Sequence, residues 1–383
     1  MKIVIVTPYY APAWAYGGPP KVLSILSEDL TKHGHTVIVI TTDALDEKRN
    51  TVSYEEYHGV QVHRFTLFSN TLAYKAKIFY VPNLCSQSKK IIDECDIVLF
   101  SDVRSILNWQ LFEYVSQKKI RYGIFAFGQI PYGQGWKTYI KKLFDVLWVR
   151  RFVRFATWCF SQTTHEQHMY HEFFQKAIKE TQLLPLPIDI SNQPVQKKHD
   201  IDVKDSGISP KDTIILFVGR FHYLKGVDIL IQACIPLLRA HHTWKLVLIG
   251  RDDGALDTLR HMVPRDLCAS ILFPGPLYGE AMSTWYSRAG CFVFTPRYYE
   301  ETSTAALEAL SYGCPVVTVP QSEIPFLSVY NAGISVRHNV SAIRKGILGV
   351  LKQRKTMSVH ALHLIKEHYD SQKIMLLLLS FFR

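Results

Sequence analysis

Short apolar runs alternate with patterns of helical period along the whole chain. In the first half, the strand-like runs are Ile3–Val6, Val37–Thr41, Val60–Phe65, Ile97–Phe100, Tyr122–Phe127, Trp158–Ser161 and Leu183–Leu186. The helical patterns between them are clearest at Lys21–His33, Ile106–Gln117 and Trp136–Phe155. Strands that alternate with amphipathic helices predict an α/β fold with mainly parallel sheets.

A second series of the same kind follows a polar stretch, Ser191–Lys211, which is rich in Gln, Lys and Asp and which we interpret as an interdomain hinge. Its strand-like runs are Ile214–Val218, Lys245–Ile249, Ile271–Phe273, Cys291–Phe294, Val316–Val319 and Gly333–Val336. A chain of 383 residues is long for a single hydrophobic core. We therefore expect one domain over residues 1–190 and a second over 205–360.

Apolar runs, cysteine content and net charge indicate where the protein is located and which partners it can have. The chain has no apolar run of the length that spans a bilayer, and its first residues, Met1–Pro8, are typical of a strand rather than a signal peptide. Seven cysteines are scattered without a Cys-x-x-Cys pair, so neither a disulfide framework nor a zinc site is predicted. These features predict a cytoplasmic protein. The net charge of +11 favours an anionic partner: nucleic acid, a membrane surface or anionic substrates.

The segment Thr295–Val317 carries the most informative chemistry. An apolar run ends in a loop with Glu300, and the helix that follows has Glu308 in its second turn and is stopped by Gly313 and Pro315. Carboxylates after a parallel strand lie where α/β folds bind ligands. The start of such a helix can receive a phosphate, and Glu308 can accept hydrogen bonds from vicinal hydroxyls of a ribose or sugar.

Two basic residues follow the first strand of the second series. In the run Gly219-Arg220-Phe-His-Tyr-Leu-Lys225-Gly226, the arginine comes directly after the strand and the lysine stands at the entry to a helix. Both can reach a diphosphate, the arginine as a bidentate fork and the lysine as a point charge.

Glycines mark two further loops. Tyr16-Gly17-Gly18 follows the first strand and opens the first helix, and adjacent glycines permit close backbone approach to a ligand and positive φ angles. Gly250 directly follows the strand Lys245–Ile249.

Taken together and in this order, the Glu-x7-Glu segment, the Gly-Arg-x4-Lys-Gly run and the Gly-Gly loop resemble the retaining glycosyltransferases of the GT-B fold, most closely glycosyltransferase family four (group 1). The resemblance implies an α/β architecture of two Rossmann-like domains whose parallel sheets face each other across a cleft. It places the acceptor in residues 1–190 and the nucleotide-sugar in 205–360. It also implies that a C-terminal helix over 361–383 crosses back to the N-terminal domain.

The resemblance also implies roles for individual residues. Arg220 and Lys225 would hold the two phosphates of the donor and stabilise the leaving group, Glu300 would orient the donor sugar, and Glu308 the ribose. The other substrate-binding residues that we expect are Gly17, Gly18, Gly219, Gly250, Thr302, Ser303, Thr304 and Gln129. The family uses neither a metal nor a cofactor, because the basic residues replace a divalent ion. We therefore expect a metal-independent enzyme whose nucleotide-diphospho-sugar is a substrate.

The sequence departs from the family pattern at two places. The run Glu300-Glu301-Thr302-Ser303-Thr304 replaces the usual Glu-Gly-Phe-Gly, so that the sugar pocket is expected to be unusual, with Thr302 or Ser303 capping the helix. Phe127 stands where many relatives have a histidine near the reacting carbon, and Gln129 is the candidate polar substitute.

The predicted helix over 136–155 is both basic and aromatic. Its cations, which alternate with Trp, Phe and Leu, are Lys137, Lys141, Lys142, Arg150, Arg151 and Arg154. This composition is typical of a helix that lies on an anionic membrane; the alternative is a core helix with a solvated basic face. No nucleic-acid motif accompanies the charge, and we expect no nucleic-acid partner.

The resulting hypothesis is a retaining glycosyltransferase of the hexosyltransferase type that assembles a surface polysaccharide or glycolipid on a lipid-linked or glycan acceptor, as a peripheral protein on the inner face of the cytoplasmic membrane. Two alternatives stay open. Another GT-B enzyme, such as a nucleotide-sugar epimerase, shares the fold. A catalytically impaired, membrane-associated scaffold would explain the missing histidine and glycines. The apolar end, Ile374–Arg383, is also consistent with a tail that dips into a membrane.

Overall fold

A computed structural model describes residues 1–132, 137–174, 177–178, 180–191 and 207–383 of the chain. The chain divides into two compact units. The first unit contains residues 1–187 and 371–383, and the second contains residues 188–370. Most of the hinge predicted at Ser191–Lys211 lies outside the described residues.

The first unit is an α/β structure. In chain order its elements are β1 (Lys2–Val6), α1 (Gly18–Lys32), β2 (Thr36–Thr42), β3 (Tyr54–Tyr57), β4 (Val60–Phe65), α2 (Leu84–Asp93), β5 (Ile97–Ser101), α3 (Ile106–Gln117), β6 (Arg121–Phe125), α4 (Lys137–Phe144), α5 (Arg150–Phe155), β7 (Trp158–Ser161), α6 (Thr164–Phe174) and β8 (Gln182–Leu183). The strands form an eight-stranded sheet in the order β3-β4-β2-β1-β5-β6-β7-β8. Only the β3–β4 pair among these described strands is antiparallel.

Both faces of this sheet are buried, as β1 shows. Ile3 and Ile5 belong to one hydrophobic cluster, whereas Val4 and Val6, which point to the opposite face, belong to another. Because side chains alternate along a strand, a run that is apolar at every position requires cover on both sides, which is how parallel sheets are normally built.

The second unit repeats this architecture. Its elements are β9 (Thr213–Val218), α7 (Val227–Ala240), β10 (Trp244–Ile249), α8 (Leu256–His261), β11 (Ile271–Gly275), α9 (Glu280–Arg288), β12 (Ala289–Val293), α10 (Thr304–Ser311), β13 (Val316–Thr318), β14 (Gly333–Ser335), α11 (Val340–Lys352) and α12 (Arg354–His368). The strands form a six-stranded parallel sheet in the order β11-β10-β9-β12-β13-β14.

The helix predicted over 361–383 is divided between the two units. Its first part belongs to α12 of the second unit, and after a break at Tyr369 and Asp370 the chain forms α13 (Ser371–Phe382) in the first unit. Asp370 makes a strand-like bridge with Ile188, so the backbone cannot continue as a helix there. Helix α13 packs on α1. Among the described residues, no helix is both long and apolar enough to cross a membrane.

The helix predicted over 136–155 also has a more complex form. Trp136 lies outside the described residues, and α4 and α5 are joined by a π-helical turn over Asp145–Val149. Asp145 is buried and forms a two-point ion pair with buried Arg104, at 2.7 and 2.8 Å. A charged residue that must reach a partner inside the unit accounts for the locally irregular helix.

Two predicted strands are shorter than expected. The run Tyr122–Phe127 ends as a strand at Phe125, because Phe127 has a positive φ of 47° and cannot continue the extended backbone. The run Leu183–Leu186 is extended only at Gln182 and Leu183, and two prolines follow in its continuation.

Candidate functional site

The six-stranded sheet of the second unit reverses its strand order at β9. From β9 the chain builds outward through β10 and β11, then returns to place β12 on the other side of β9. Ligands of open α/β sheets bind beyond the carboxyl ends of strands at such a switch point. The loop after β9 carries Arg220 and Lys225, and the loop after β12 carries Glu300. The three residues therefore gather at the switch point.

Lys225 and Glu300 are in direct contact. The lysine Nζ lies 2.6 Å from a carboxylate oxygen of Glu300, and the two side chains are 16% and 28% exposed. The ammonium also lies 5.3 Å from the ring centroid of Phe294. The sequence predicted separate roles for the two residues, whereas the structure joins them into one partly buried ion pair.

Arg220 lies on the same edge of the sheet but is exposed. Its guanidinium donates to the carboxylate of Asp253 at 2.7 Å. Asp253 follows β10, so this pair links the loops after β9 and β10. An exposed ion pair contributes little to stability, and an incoming anion can compete with the carboxylate for the arginine.

Glycines bring the backbone of these loops unusually close together. A Cβ atom on Gly250 would stand 1.8 Å from the carbonyl oxygen of Gly219, which leaves no room for any side chain. Gly226 has a φ of +65°, and a Cβ there would lie 2.0 Å from the carbonyl oxygen of Thr295. Gly219 and Gly250, both predicted as site residues, thus set the spacing between the loops after β9 and β10.

Arg297, in the loop after β12, makes several contacts with the loop after β9. The sequence did not predict this residue as part of the site. Its Nε donates to the carbonyl oxygen of Tyr223 at 3.1 Å, and its guanidinium lies 4.2 Å from the centre of that tyrosine ring. It also forms an ion pair with Asp228, and its backbone N–H donates to the carbonyl of Leu224. An arginine three residues beyond the end of the apolar run Cys291–Phe294 was the available signal.

The start of α10 is shaped by the three hydroxyl residues that replace the usual glycines. Ser303 is the N-cap, and its Oγ accepts from the backbone N–H of Ala306 at 3.3 Å. Thr302 does not cap the helix, because its buried hydroxyl donates to the carbonyl of Glu323 at 2.9 Å. Thr304 is the first residue of the helix. Of the two capping candidates, only Ser303 has that position.

Glu308 lies in the second turn of α10, as the sequence predicts. The hydroxyl of buried Tyr286 hydrogen-bonds to it. Burial raises the pKa of Tyr286 well above its usual value, and the adjacent negative charge of Glu308 raises it further. The tyrosine therefore stays a neutral donor that fixes one side of the carboxylate.

No group of three or more His, Cys, Asp or Glu side chains in the described part of the chain is arranged to hold a metal ion.

In the first unit, the Gly-Gly loop connects β1 to α1. Gly17 has a φ of +99°, a conformation that favours glycine, and Gly18 is the first residue of α1. Because β1 is a central parallel strand, this loop lies at the carboxyl edge of the first sheet.

Gln129 lies at the same edge, beside a buried carboxyl group that sequence reasoning missed. Asp102 directly follows β5 and is 3% exposed, and Tyr9 donates its hydroxyl to the carboxylate at 3.0 Å. Burial raises the pKa of Asp102 to about 7, although hydrogen bonds from Tyr9 and Gln129 act in the opposite direction. An aspartate directly after an apolar strand was the signal in the sequence.

A second buried carboxyl group, Glu166, holds the turn that contains Phe127. The backbone N–H of Gly128 donates to one of its oxygens at 2.7 Å, and that of Gln162 donates to the other at 2.8 Å. Burial raises the pKa of Glu166 to about 7 against the effect of these two bonds. Phe127 itself stacks on Phe125 with ring centroids 5.5 Å apart, so the position that many relatives give to histidine is part of an aromatic stack.

Apolar side chains of α4 and the π-helical turn point to solvent. We call this set the exposed stripe; its members, with their exposed fractions, are Tyr139 (75%), Ile140 (55%), Leu143 (60%), Val146 (58%) and Leu147 (53%). They recur every three or four residues and so share one face of the helix. Neighbouring exposed apolar side chains of this kind are typical of surfaces that associate with other molecules.

Comparisons with known proteins agree with this geometry. Residues 212–353, which include the Lys225–Glu300 pair, match the family model described as Glycosyl transferases group 1. The matched residues all lie in the second unit. A relative in Methanocaldococcus jannaschii, an uncharacterized glycosyltransferase, is 35% identical over 117 residues, which cover 29% of this chain and 28% of that protein. The chain thus matches less than a third of the length of this curated relative.

Likeness in structure extends beyond the residues that match the family model. A sucrose-phosphate synthase from Thermosynechococcus elongatus has a TM-score of 0.78 at 17% identity, and the match covers 100% of this chain and 98% of that one. Anabaena HepE, in a complex with UDP and glucose, has a TM-score of 0.74 at 14% identity and covers 100% and 99%. The GT-B fold predicted from the sequence is confirmed.

Proposed function

We propose that the protein is a retaining glycosyltransferase that moves a hexosyl group from a nucleotide-diphospho-sugar to a lipid-linked or polysaccharide acceptor. The observation that carries the proposal is the Lys225–Glu300 pair at the switch point of the second sheet, with Arg220 on the same edge. A cation next to a carboxylate suits a sugar that is linked to a diphosphate, because the cation can pair with the phosphates while the carboxylate accepts hydrogen bonds from the sugar hydroxyls.

The chemistry needs charge stabilisation more than a protein base. The bond between C1 of the sugar and the diphosphate oxygen breaks, and the acceptor oxygen forms a bond to C1 on the same face. The proton of the acceptor hydroxyl passes to the departing diphosphate, so atoms and charge balance. Lys225 and Arg220 would stabilise the negative charge that develops on the diphosphate. Glu300, once released by Lys225, would accept hydrogen bonds from the donor sugar.

A uridine nucleotide is the donor to test first, because a solved relative of the same fold binds UDP and glucose. Metal independence is part of the proposal: two cations at the diphosphate supply the charge that a divalent ion would supply. Glu308, held by Tyr286, would take the ribose hydroxyls.

The acceptor is proposed to be membrane-borne, as in the assembly of surface glycans on the cytoplasmic face of a membrane. The exposed stripe supports this location, together with the cations Lys142, Arg150 and Arg154 on the same stretch of chain, all exposed. Apolar side chains enter the headgroup boundary while Lys and Arg attract anionic lipids, which is how an interfacial helix binds.

The decisive experiment is calorimetry of UDP-, GDP-, ADP- and dTDP-sugars in EDTA, with the wild type, Lys225→Ala and Glu308→Ala. We expect one nucleotide class to bind without metal, with binding weakened in both variants, and NMR of the glycoside product to show the anomeric configuration of the donor. If the folded protein binds no donor, the transferase proposal is wrong. Donor binding without transfer to any lipid-linked or glycan acceptor would favour the scaffold instead, and conversion of the donor sugar itself would favour an epimerase.

A further inference from the structure

The first unit contains a cavity of about 810 Å³ that is lined by residues of α5 and α6. Three arginines line it: Arg150, Arg151 and Arg154. One carboxylate, Glu172, also lines it, so the charge of the lining is positive. The cavity shares none of the residues to which the proposed transfer reaction assigns a role.

Two of the three arginines are placed to act on a ligand. Arg151 is engaged, because it donates to Glu113 at 2.8 Å. Arg150 and Arg154 stand one helical turn apart, so they share a face of α5, and neither forms an ion pair with a carboxylate in the described part of the chain. Two neighbouring guanidinium groups present several N–H donors, which matches the oxygens of a phosphate.

The rest of the lining is apolar and continuous with the exposed stripe. Val146 belongs to both the cavity and the stripe. Phe155, which is 53% exposed, and Phe173 also line the cavity, and the ring of Phe173 lies 5.0 Å from that of Tyr132. A ligand that fits this lining has an anionic head and an apolar body that can lie along the stripe.

We propose that this cavity binds the phosphate-bearing headgroup of a membrane lipid, with the acyl chains of that lipid against the exposed stripe. The inference deepens the membrane partner of the proposed function, since it replaces a diffuse attraction to negative charge with one built site. Val146 belongs to both the lining and the stripe, so a single lipid can reach the arginines with its phosphate and the stripe with its acyl chains.

The test uses the full chain and short-chain, soluble phosphatidylglycerol as the probe, with inorganic phosphate and vesicles of phosphatidylglycerol or phosphatidylcholine as separate arms. The variant is Arg150→Ala/Arg154→Ala. The matched control, Lys90→Ala/Lys352→Ala, removes the same charge from exposed positions outside the cavity lining and outside the helix that carries the exposed stripe. We expect the cavity variant to lose roughly ten- to hundredfold in affinity for the soluble lipid, and the control to stay within about threefold.

Other outcomes overturn the proposal. Inorganic phosphate that binds as tightly as the lipid would identify a phosphate site with no lipid component. Equal losses of lipid affinity in the two double variants would show a diffuse attraction to negative charge. Equal binding to phosphatidylglycerol and phosphatidylcholine vesicles would show a purely apolar association. Circular dichroism checks that both variants fold. Calorimetry of a UDP-sugar with the same variants keeps the two proposals separate: lipid binding with no donor binding leaves the cavity assignment intact while the transferase proposal fails.

Discussion

The ammonium of Lys225 contacts the carboxylate of Glu300 across the strands β9 and β12, at 2.6 Å, although 75 residues separate them along the chain. In this state the carboxylate of Glu300 neutralises the positive charge of Lys225. A diphosphate that binds here must therefore compete with Glu300 for the lysine, so donor binding and release of the carboxylate are coupled.

Replacement of Lys225 tests this coupling. We expect Lys225→Ala to lower the transfer rate by about 10²–10³-fold, because the charge that stabilises the leaving diphosphate is lost. The free energy of unfolding should fall by no more than about 1 kcal/mol, since the pair is partly solvated. Arg239→Ala, which removes an exposed ion pair with Asp266, is the control. Equal rates for the two variants would contradict the role of Lys225.

The close approach of two loops makes Gly250 sensitive to a single methyl group. Gly250→Ala should destabilise the protein by about 1–3 kcal/mol or more, because the new Cβ collides with the carbonyl of Gly219. Urea unfolding measures the change. Gly349→Ala is the matched control: it lies within α11 with no atom near the added Cβ, and it should stabilise by about 0.5–1 kcal/mol. If both variants change the free energy of unfolding in the same direction, the steric explanation is wrong.

Asp102 predicts a dependence of stability on pH. Its pKa in the folded protein is about 7, above the value of about 3.9 expected for an unfolded chain, so the folded state holds the proton more strongly. The free energy of unfolding therefore falls as the pH rises from about 4 to about 7, by at most about 1.4 kcal/mol per pH unit from this group, and is level above that range.

Asp102→Asn removes this dependence while its amide oxygen can still accept from Tyr9. We expect the variant to gain stability relative to the wild type between pH 5 and pH 8, measured by urea unfolding at both. Glu166→Gln is a useful contrast, because an amide cannot accept from both Gly128 and Gln162, and it should lose about 1–3 kcal/mol even at low pH. Parallel stability curves for Asp102→Asn and the wild type would exclude Asp102 as the source.

The apolar helix α13 provides a matched pair of leucines. Leu378 is fully buried among residues of the first unit, whereas Leu376 is 56% exposed. Leu378→Ala should cost about 2–5 kcal/mol, and Leu376→Ala about 0.5 kcal/mol or less, in the free energy of unfolding. This difference in the free energy of unfolding is expected if α13 is a packed helix. If the segment instead enters a membrane, Leu376→Ala should weaken binding to vesicles more than Leu378→Ala does.

Replacement of two apolar residues by aspartate tests the exposed stripe. Ile140→Asp/Leu143→Asp should weaken binding to phosphatidylglycerol vesicles by roughly ten- to hundredfold, because two apolar side chains no longer enter the lipid boundary. Val359→Asp, at an exposed apolar position on α12, is the control and should bind as the wild type does. Cosedimentation measures both. Unchanged binding of the stripe variant would remove the helix from the proposed membrane contact.

Apolar patterning predicted the sheet strands well where burial on both faces leaves a continuous apolar run. Trp158–Ser161, which is buried at every position, has the predicted bounds; Val60–Phe65 also has them, although its buried positions alternate with half-buried ones. The strand β3 was not predicted, because its residues Tyr54–Tyr57 include two glutamates and pair only at the edge of the sheet. Its extended form depends on a neighbouring strand, and no local pattern reports that.

In the candidate site, too, the sequence predicted some residues and missed others whose role depends on distant parts of the chain. The resemblance to the glycosyltransferases placed Lys225 and Glu300 in one donor site. A resemblance gives no distance in space, so their direct contact became evident only from the structure. Asp102 and Glu166 were missed because a buried carboxyl group looks like a surface one in sequence. What distinguishes them is the set of donors around them, such as Tyr9, which lies far away in the chain.

The division of the chain has a consequence for its synthesis. The first unit is interrupted by the second, and Leu26 and Leu30 of α1 share their core cluster with Ile374 and Leu378 of α13. As the ribosome extends the chain, the second unit is fully translated before these last core residues emerge. The unit that begins first must therefore finish last, and in the interval the uncovered face of α1 is a natural target for chaperones.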